Sequence, residues 1–216
     1  MSAVTSAAMG CQQHIFADDP QRNLLPCDGV INYHGRIFAA QRALELYQAL
    51  LDTICWKPDE AVIFGRHITT ARQVAWYGDA DYAYSYSGTT KQALAWTSEL
   101  REIKAVVEQL TGTRFNSCLL NLYRTGNEGM AWHSDDEYVL GRDTTIASVS
   151  LGAERKFALK HKRLTHATSI PLEHGSLLVM RGTTQSNWLH SVPKSKRIIL
   201  PRINLTFRTI DMGSAD

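Results

Sequence analysis

Residues 202–208 read Arg-Ile-Asn-Leu-Thr-Phe-Arg, a strict alternation of polar and apolar side chains. Alternation with a period of two is typical of a β-strand with one buried face. Ile203, Leu205 and Phe207 would form that face, and the four polar side chains would share the other. Two guanidinium groups with an amide between them suit the binding of a dicarboxylate. The simpler alternative is an ordinary strand of a β-sandwich with a wet outer face.

The chain upstream of this segment, from residue 115 onward, reads as a series of short strands separated by Gly, Pro, Asn and Asp. The candidates are residues 115–123, 145–152, 156–162, 169–180 and 188–193. Strands and helices do not alternate here, so we expect an antiparallel sheet. The number of short strands predicts a mainly β fold of the α+β class, built as a sandwich or jelly roll.

Two amphipathic helices are predicted on the N-terminal side of these strands. Apolar residues recur at steps of three and four over residues 40–54 and again over about residues 92–110. Gly112 would end the second helix. Between the helices, Tyr82, Tyr84 and Tyr86 alternate with small residues and would share one face of a strand.

The chain therefore divides into four expected segments. Residues 1–22 are small and polar, which is typical of a mobile arm. Residues 23–112 would hold the helices, residues 113–210 the β-structured core, and residues 211–216 a short tail.

Composition and charge narrow the class of protein. The 216 residues are 44% hydrophobic and 20% charged, as expected for a globular domain, and no apolar run approaches the roughly 20 residues of a membrane span. Four scattered cysteines favour a reducing compartment over a disulfide framework, and their spacing gives no support to a zinc knuckle. The net charge is only +2, but residues 142–208 carry 12 Lys or Arg against 3 Asp or Glu. Such a basic half indicates either a surface for a polyanionic partner or charges that only solvate the faces of strands, and the charge alone does not favour one over the other.

A candidate metal site lies in His133-Ser134-Asp135. Residues two apart on an extended chain point the same way, so the imidazole and the carboxylate could bind one ion. His190 is the candidate third ligand. Two histidines and one carboxylate form the facial triad of non-haem Fe(II) oxygenases, which leaves three positions open for a chelating co-substrate and O₂. Taken alone, the tripeptide is a weak signal, because it arises often by chance.

Asn121 and Tyr123 repeat the two-residue spacing on an earlier strand. Their amide and phenol are neutral donors that would hold the far end of the same acid. The remaining histidines are assigned to the surface or to loops and are given no chemical role.

These motifs, taken together and in this order, resemble the AlkB family of Fe(II)/2-oxoglutarate-dependent dioxygenases. The family shows an NxY, an HxD, a distal His and an RxNxTxR-like strand, which match Asn121-Leu122-Tyr123, His133-Ser134-Asp135, His190 and residues 202–208. The likeness is strongest over residues 115–210. It extends more loosely back to about residue 60, where it looks most like the homologues that repair alkylated duplex DNA.

The resemblance implies a double-stranded β-helix, or jelly roll, with supporting helices and an N-terminal nucleotide-recognition lid. Fe(II) would be held by His133, Asp135 and His190, with 2-oxoglutarate and O₂ as co-substrates. Arg202 would pair with the distal carboxylate of 2-oxoglutarate, helped by Tyr123. The rest of that pocket would be formed by Asn121, Asn204 and Arg208.

The resemblance also implies the substrate. An N-alkylated base of DNA, such as 1-methyladenine or 3-methylcytosine, would be flipped into the site, hydroxylated on its N-methyl group and restored with release of formaldehyde. Phe64 would be a wedge in the vacated stack, Tyr86 would stack on the base opposite His133, and acidic side chains would attract the cationic lesion. The implied substrate-binding residues are Phe64, Arg72, Tyr84, Tyr86, Ser87, Asp136 and Glu137.

Several alternatives remain open at this stage. The acidic pair Asp136 and Glu137 would serve equally as a solvated turn, and Phe64 as an ordinary buried residue. The same chemistry would also suit RNA, and a jelly-roll nucleic-acid-binding module with a relic metal site is an alternative of another class. We expect a monomer without a membrane association, located in the cytoplasm, or in the nucleus if the source is eukaryotic.

Overall fold

The computed structural model describes residues 19–63, 66–80, 82–86 and 89–211, with side chains described for all of these except residues 61–63, 66–68, 83–86 and 89–91. The predicted arm over residues 1–22 and the tail over residues 211–216 lie mostly outside the described residues.

β-Strands are the predominant secondary structure of the described chain. The strands are β1 (Val30–Arg36), β2 (Lys57–Ile63), β3 (Arg66–Gly78), β4 (Ala83–Tyr86), β5 (Thr89–Gln92), β6 (Leu94–Ala95), β7 (Ser117–Tyr123), β8 (Met130–His133), β9 (Ile146–Gly152), β10 (Arg155–His161), β11 (Ala167–Leu172), β12 (Ser176–Arg181), β13 (Trp188–Val192) and β14 (Arg202–Arg208). The helices are α1 (Ala40–Thr53), α2 (Ser98–Thr111), the short α3 (Thr184–Asn187) and a 3₁₀ turn (Tyr138–Leu140). In this part of the chain no helix is both long enough and apolar enough to span a bilayer.

Two sheets carry the fold. The larger sheet has the order β1-β12-β9-β14-β7-β3-β2, with β6 added beside β3, and the smaller sheet has the order β11-β10-β13-β8. Strand pairs in both sheets are antiparallel except for the short β3–β6 pair, which is parallel. Two mainly antiparallel sheets are the arrangement expected of a jelly roll, so the predicted fold class is confirmed. The nucleotide-recognition lid remains a prediction.

β14 lies at the centre of the larger sheet, between β9 and β7. Its apolar residues Ile203, Leu205 and Phe207 are fully buried and pack with residues of α1 and α2, which cover that face. The polar face is buried as well: Arg202 is 0% and Asn204 9% exposed. A strand with a wet outer face is therefore excluded, because the polar side chains point into the space between the sheets.

The two long helices follow the predicted periodicity. α1 begins at Ala40, as expected. α2 begins at Ser98, later than predicted, because Thr97 accepts a hydrogen bond from the backbone N–H of Leu100 and caps the helix. Gly112 ends it with a φ of 66°, in the left-handed region that glycine adopts without strain.

The larger sheet draws on both halves of the sequence. β1, β2, β3 and β6 lie within the predicted segment 23–112, yet they hydrogen-bond into the same sheet as β7, β9, β12 and β14. β1 pairs with β12, about 150 residues further along the chain. Residues 23–112 thus contribute strands to the larger sheet in addition to the two long helices.

Gly126 provides a test of how tightly the loops at one end of the sheets are packed. Its N–H donates to the carbonyl of Ile198 at 2.7 Å, and its carbonyl accepts from the N–H of Ser195 at 2.7 Å. A Cβ atom at Gly126 would lie 2.0 Å from the Ser195 carbonyl oxygen, so one of the two loops would have to move. We expect Gly126→Ala to lower the free energy of unfolding by at least about 2 kcal/mol in a urea titration.

The control for this prediction is Gly112→Ala. A Cβ atom there meets nothing within 4 Å, so only the strain of the positive φ remains, at about 1 kcal/mol. Equal losses of unfolding free energy in the two variants would show that the loops around Gly126 are not tightly packed.

Candidate active site

Three candidate metal ligands come together between the sheets. His133 at the end of β8 pairs in register with His190 of β13, and their ring centroids are 4.2 Å apart. Asp135 follows two residues after His133. One ligand atom from each of the three residues lies within 4.8 Å of the others. Antiparallel pairing of β8 with β13 thus closes the gap of 57 residues that separates the two histidines in the sequence.

The protonation of this group suits a divalent cation. Burial lowers the pKa of His190 to about 4, so its ring is neutral and keeps a free lone pair. Burial alone would raise the pKa of Asp135, but Arg208 and the two histidines outweigh it, and the pKa is lowered. The Nδ1–H of His133 donates to the carbonyl of Ala131 at 2.9 Å, which leaves Nε2 facing Asp135. One carboxylate and two imidazoles are ligands that first-row divalent metals accept.

Asp135 is held from two sides. Its N–H donates to Gln185 Oε1 at 2.9 Å, and its carboxylate pairs with Arg208 Nη2 at 2.9 Å. Arg208 is the last residue of β14, so the strand predicted to bind an acid at one end fixes a metal ligand at the other.

Arg202, at the start of β14, is buried without a counter-ion among the described residues. Its Nη2 donates to Ser150 Oγ and to Asn204 Oδ1, both at 2.9 Å. Its Nε and Nη1 atoms are buried and have no hydrogen-bond partner in the described chain. Burial lowers the pKa of Arg202 to about 10, which still leaves the group charged at neutral pH. A buried charge without a partner is costly, so this end of the strand is suited to a bound anion.

One cavity connects the two ends. Asn121 and Tyr123 of β7 and Asn204 of β14 line it from the larger sheet, together with the three candidate metal ligands. Arg202 does not line the cavity itself but lies directly behind two lining residues: it donates to Asn204 and lies 5.5 Å from the ring of Tyr123. The Oδ1 atom of Asn121 is buried and has no partner among the described residues. The predicted 2-oxoglutarate residues are therefore brought together beside the metal group.

The two acidic residues after the metal motif, Asp136 and Glu137, lie in different environments. Glu137 lines the cavity, its Oε2 atom is buried without a described partner, and burial raises its pKa. Asp136 is exposed: it accepts from Ser134 Oγ at 2.9 Å and lies 3.6 Å from Lys162 Nζ. Only Glu137 is thus placed to meet a ligand in the cavity.

Arg72 of β3 also lines the cavity, but it is buried and occupied by protein groups. Its guanidinium pairs with the carboxylate of Asp59 and contacts the sulfur of Met130. Its direct role in substrate binding remains a prediction.

The other predicted substrate residues belong to the segment where the lid is predicted. Phe64 and Ser87 lie outside the described residues. Tyr84 and Tyr86 lie in β4, which pairs with β5, and their side chains are outside the described set. Tyr82 was expected to share their strand, but it precedes β4 and its ring stacks on Trp76, 6.4 Å away.

Sequence reasoning missed Arg155, the first residue of β10. Its Nη2 donates to the carbonyls of Glu128 and Pro193 at 2.8 and 2.9 Å, and its Cζ lies 5.6 Å from the ring of Tyr123. In the sequence it stands beside Lys156 and carries no signal that distinguishes a buried arginine from a surface one.

His161 was also misplaced. It was expected at the surface or in a loop, but it is a buried residue of β10 that lies near Cys27 and Asp28. Its Nδ1 accepts hydrogen bonds from the N–H groups of Arg163 and Leu164, so the proton sits on Nε2, 3.2 Å from Asp28. In this tautomer the ring has no lone pair free for a metal, although Nε2 itself makes no hydrogen bond within the described chain.

Comparison with known proteins agrees with this geometry. The model of the 2OG-Fe(II) oxygenase superfamily matches residues 29–208. The human alpha-ketoglutarate-dependent dioxygenase alkB homolog 3 is 40% identical over 174 residues, which cover 76% of this chain and 60% of the relative. The human DNA oxidative demethylase ALKBH2 is 40% identical over 156 residues, which cover 68% of this chain and 60% of the relative. The chain therefore spans about three fifths of the length of these relatives.

Solved structures show the same fold at low identity. The structure of OsALKBH1 aligns over 86% of this chain and 98% of its own, with a TM-score of 0.58 and 14% identity. A 2OG-Fe(II) oxygenase family oxidoreductase from Burkholderia pseudomallei aligns over 84% of each chain, with a TM-score of 0.54 and 14% identity.

Proposed function

The chain belongs to the AlkB family of the 2OG-Fe(II) oxygenase superfamily, and from this premise we propose that it removes methyl groups oxidatively from alkylated bases of DNA. One observation carries the proposal: a three-ligand metal group lines a cavity, and a buried guanidinium with unpaired donors lies directly behind the Asn204 and Tyr123 side of its wall. The relatives named as a DNA oxidative demethylase and as an alkB homologue support the substrate class.

The residues present fit both cofactors. His133, Asp135 and His190 would hold ferrous ion, and the unpaired donors of Arg202 would take the distal carboxylate of 2-oxoglutarate. When bound, iron and the oxo acid supply with O₂ the oxidising power that hydroxylates the N-methyl carbon of the base. The hydroxymethyl product then loses formaldehyde and the base is restored.

The protein's own groups position this chemistry and keep it dry. Arg208 and Gln185 fix the carboxylate and the backbone of Asp135. The cavity is also lined by apolar side chains such as Leu119 of the larger sheet and Phe157 of the smaller one, which would limit the access of water to the site.

The position of Glu137 in the cavity favours a positively charged substrate. 1-Methyladenine and 3-methylcytosine carry a positive charge, and their methyl group blocks base pairing, which lowers the cost of flipping the base out of a duplex. A carboxyl group inside the cavity would attract such a base or accept a hydrogen bond from its amine. Phe64 and Tyr86 remain the proposed wedge and stacking partner.

We expect Glu137→Gln to lower kcat/KM for oligonucleotides with 3-methylcytosine about tenfold, because the carboxylate is lost from the cavity. The matched control is Asp136→Asn, which removes the same charge one residue away on the exposed side and should stay within about twofold. Equal losses in the two variants would remove Glu137 from the binding site.

The function itself is tested with oligonucleotides that carry 1-methyladenine or 3-methylcytosine, as matched DNA and RNA, single-stranded and duplex. With Fe(II), 2-oxoglutarate and ascorbate, we expect equal amounts of succinate and formaldehyde, with faster turnover on DNA. Turnover on none of these substrates would reject the proposal, and faster turnover on RNA would move the substrate class to RNA.

A further inference from the structure

Trp132 presents a large aromatic surface next to the metal group. It precedes His133 in β8, but it does not line the cavity and contacts Lys160 of β10 instead, which places it on the outer face of the smaller sheet. The side chain is 43% exposed. β8 is the edge strand of that sheet, so a chain molecule that leaves the cavity at His133 reaches Trp132 by passing round one edge.

The ring of Trp132 is in contact with the ammonium group of Lys160. Lys160 Nζ lies 4.6 Å from the ring centroid, in cation–π geometry. Within the described chain Lys160 makes no hydrogen bond or ion pair, so its charge is available to a ligand. Its surroundings are basic, because residues 155–172 include five Lys or Arg and no Asp or Glu.

We infer that Trp132 and Lys160, here called the outer platform, bind an unpaired nucleotide that neighbours the flipped base. The indole would stack on the neighbouring base, and the ammonium would pair with a phosphate of the same strand. A base inside a duplex is already stacked and paired and cannot lie on the indole. The outer platform therefore favours single-stranded nucleic acid as substrate. This inference rests on the proposed function, since it requires a polynucleotide substrate.

The test measures binding of labelled, unmethylated oligonucleotides by fluorescence anisotropy, which needs no turnover. For single-stranded DNA we expect Trp132→Ala to weaken binding about 5- to 100-fold, the range for loss of one stacked base. We expect Lys160→Ala to weaken it as well and to reduce the slope of log K against log salt by about 0.7. Duplex affinity should change less than about twofold in Trp132→Ala.

The matched control is Lys104→Ala. Lys104 also lies over a tryptophan, 5.7 Å from the ring of Trp96, but it belongs to α2, on the helix-covered side of the larger sheet. The Lys104→Ala substitution removes the same charge as Lys160→Ala, and it should leave both the affinity for single-stranded DNA and the salt slope as in the wild type. Thermal shifts with 2-oxoglutarate and Mn(II) should be unchanged in all three variants, which verifies the fold and the metal group.

The outcomes separate the two proposals. If the wild type turns over methylated oligonucleotides but Trp132→Ala binds single strands as tightly as the wild type, the outer platform is rejected and the proposed function stands. Equal losses on single strands and duplexes would also reject it. If the wild type binds no oligonucleotide at all, both proposals fail.

Discussion

Replacing Arg202 by methionine is expected to remove high-affinity binding of 2-oxoglutarate without lowering the stability of the ligand-free protein. Arg202 is fully buried, and two of its donor atoms have no partner in the described chain. An apolar side chain of similar length removes the desolvation cost of that charge, which often leaves stability equal or higher. In the ligand-bound protein, the distal carboxylate of 2-oxoglutarate would offset the desolvation cost of the buried Arg202 charge.

The expected loss is large because a buried pair of opposite charges is involved. Removing one partner of such a pair costs about 3–5 kcal/mol of binding, which corresponds to a roughly 100- to 4,000-fold loss of affinity. Calorimetry with 2-oxoglutarate and Mn(II) measures it, and urea unfolding without ligand measures stability. Undiminished affinity for 2-oxoglutarate in Arg202→Met would remove Arg202 from the pocket.

Arg155→Met is the matched control for that variant. Arg155 is equally buried and also lies against Tyr123, but it donates to two well-placed backbone carbonyls. Those carbonyls lose their partner in the variant, so we expect a loss of about 2–4 kcal/mol in the free energy of unfolding. The two arginines should thus show opposite patterns: Arg202 governs ligand binding and Arg155 governs folding.

Replacing Asp135 by alanine is expected to abolish turnover and also to destabilise the fold. The carboxylate is both a candidate metal ligand and the partner of Arg208, which is itself mostly buried. Its loss leaves the guanidinium without its nearest counter-charge, at a cost of about 3 kcal/mol in the free energy of unfolding. Turnover should fall at least about a thousandfold, because a vacant ligand position weakens metal binding and misplaces the reaction.

His133→Ala separates these two effects. His133 is partly exposed, and its ring makes one hydrogen bond, to the carbonyl of its neighbour Ala131. We therefore expect the same loss of metal binding and turnover, with a loss of stability below about 1 kcal/mol. If Asp135→Ala and His133→Ala unfold at the same urea concentration, the ion pair between Asp135 and Arg208 contributes nothing to the stability of the fold.

The site could be predicted from sequence wherever its residues share one strand. The alternation in residues 202–208 places Arg202, Asn204 and Arg208 on one face whatever the rest of the fold does. The same two-residue rule joins Asn121 to Tyr123 and His133 to Asp135. His190 entered only as a candidate third ligand, because pairing between β8 and β13 is a long-range contact that no local pattern encodes.

Other features depend on long-range contacts alone. Arg155 and His161 are polar residues of β10 that the sequence could not distinguish from surface residues, and both became buried because distant loops cover them. β1 reads as a short extended piece, and its place beside β12 follows from pairing across about 150 residues. The division of roles between Glu137 and Asp136 also needed the structure, since adjacent residues differ only in which way the turn directs them.

Crystals grown without oxygen in the presence of Mn(II) and 2-oxoglutarate test the central claim most directly. The account predicts an anomalous difference peak bound by His133, Asp135 and His190, with the distal carboxylate of 2-oxoglutarate on Arg202. A peak at Cys27, Asp28 and His161 instead, or 2-oxoglutarate bound away from Arg202, would contradict it.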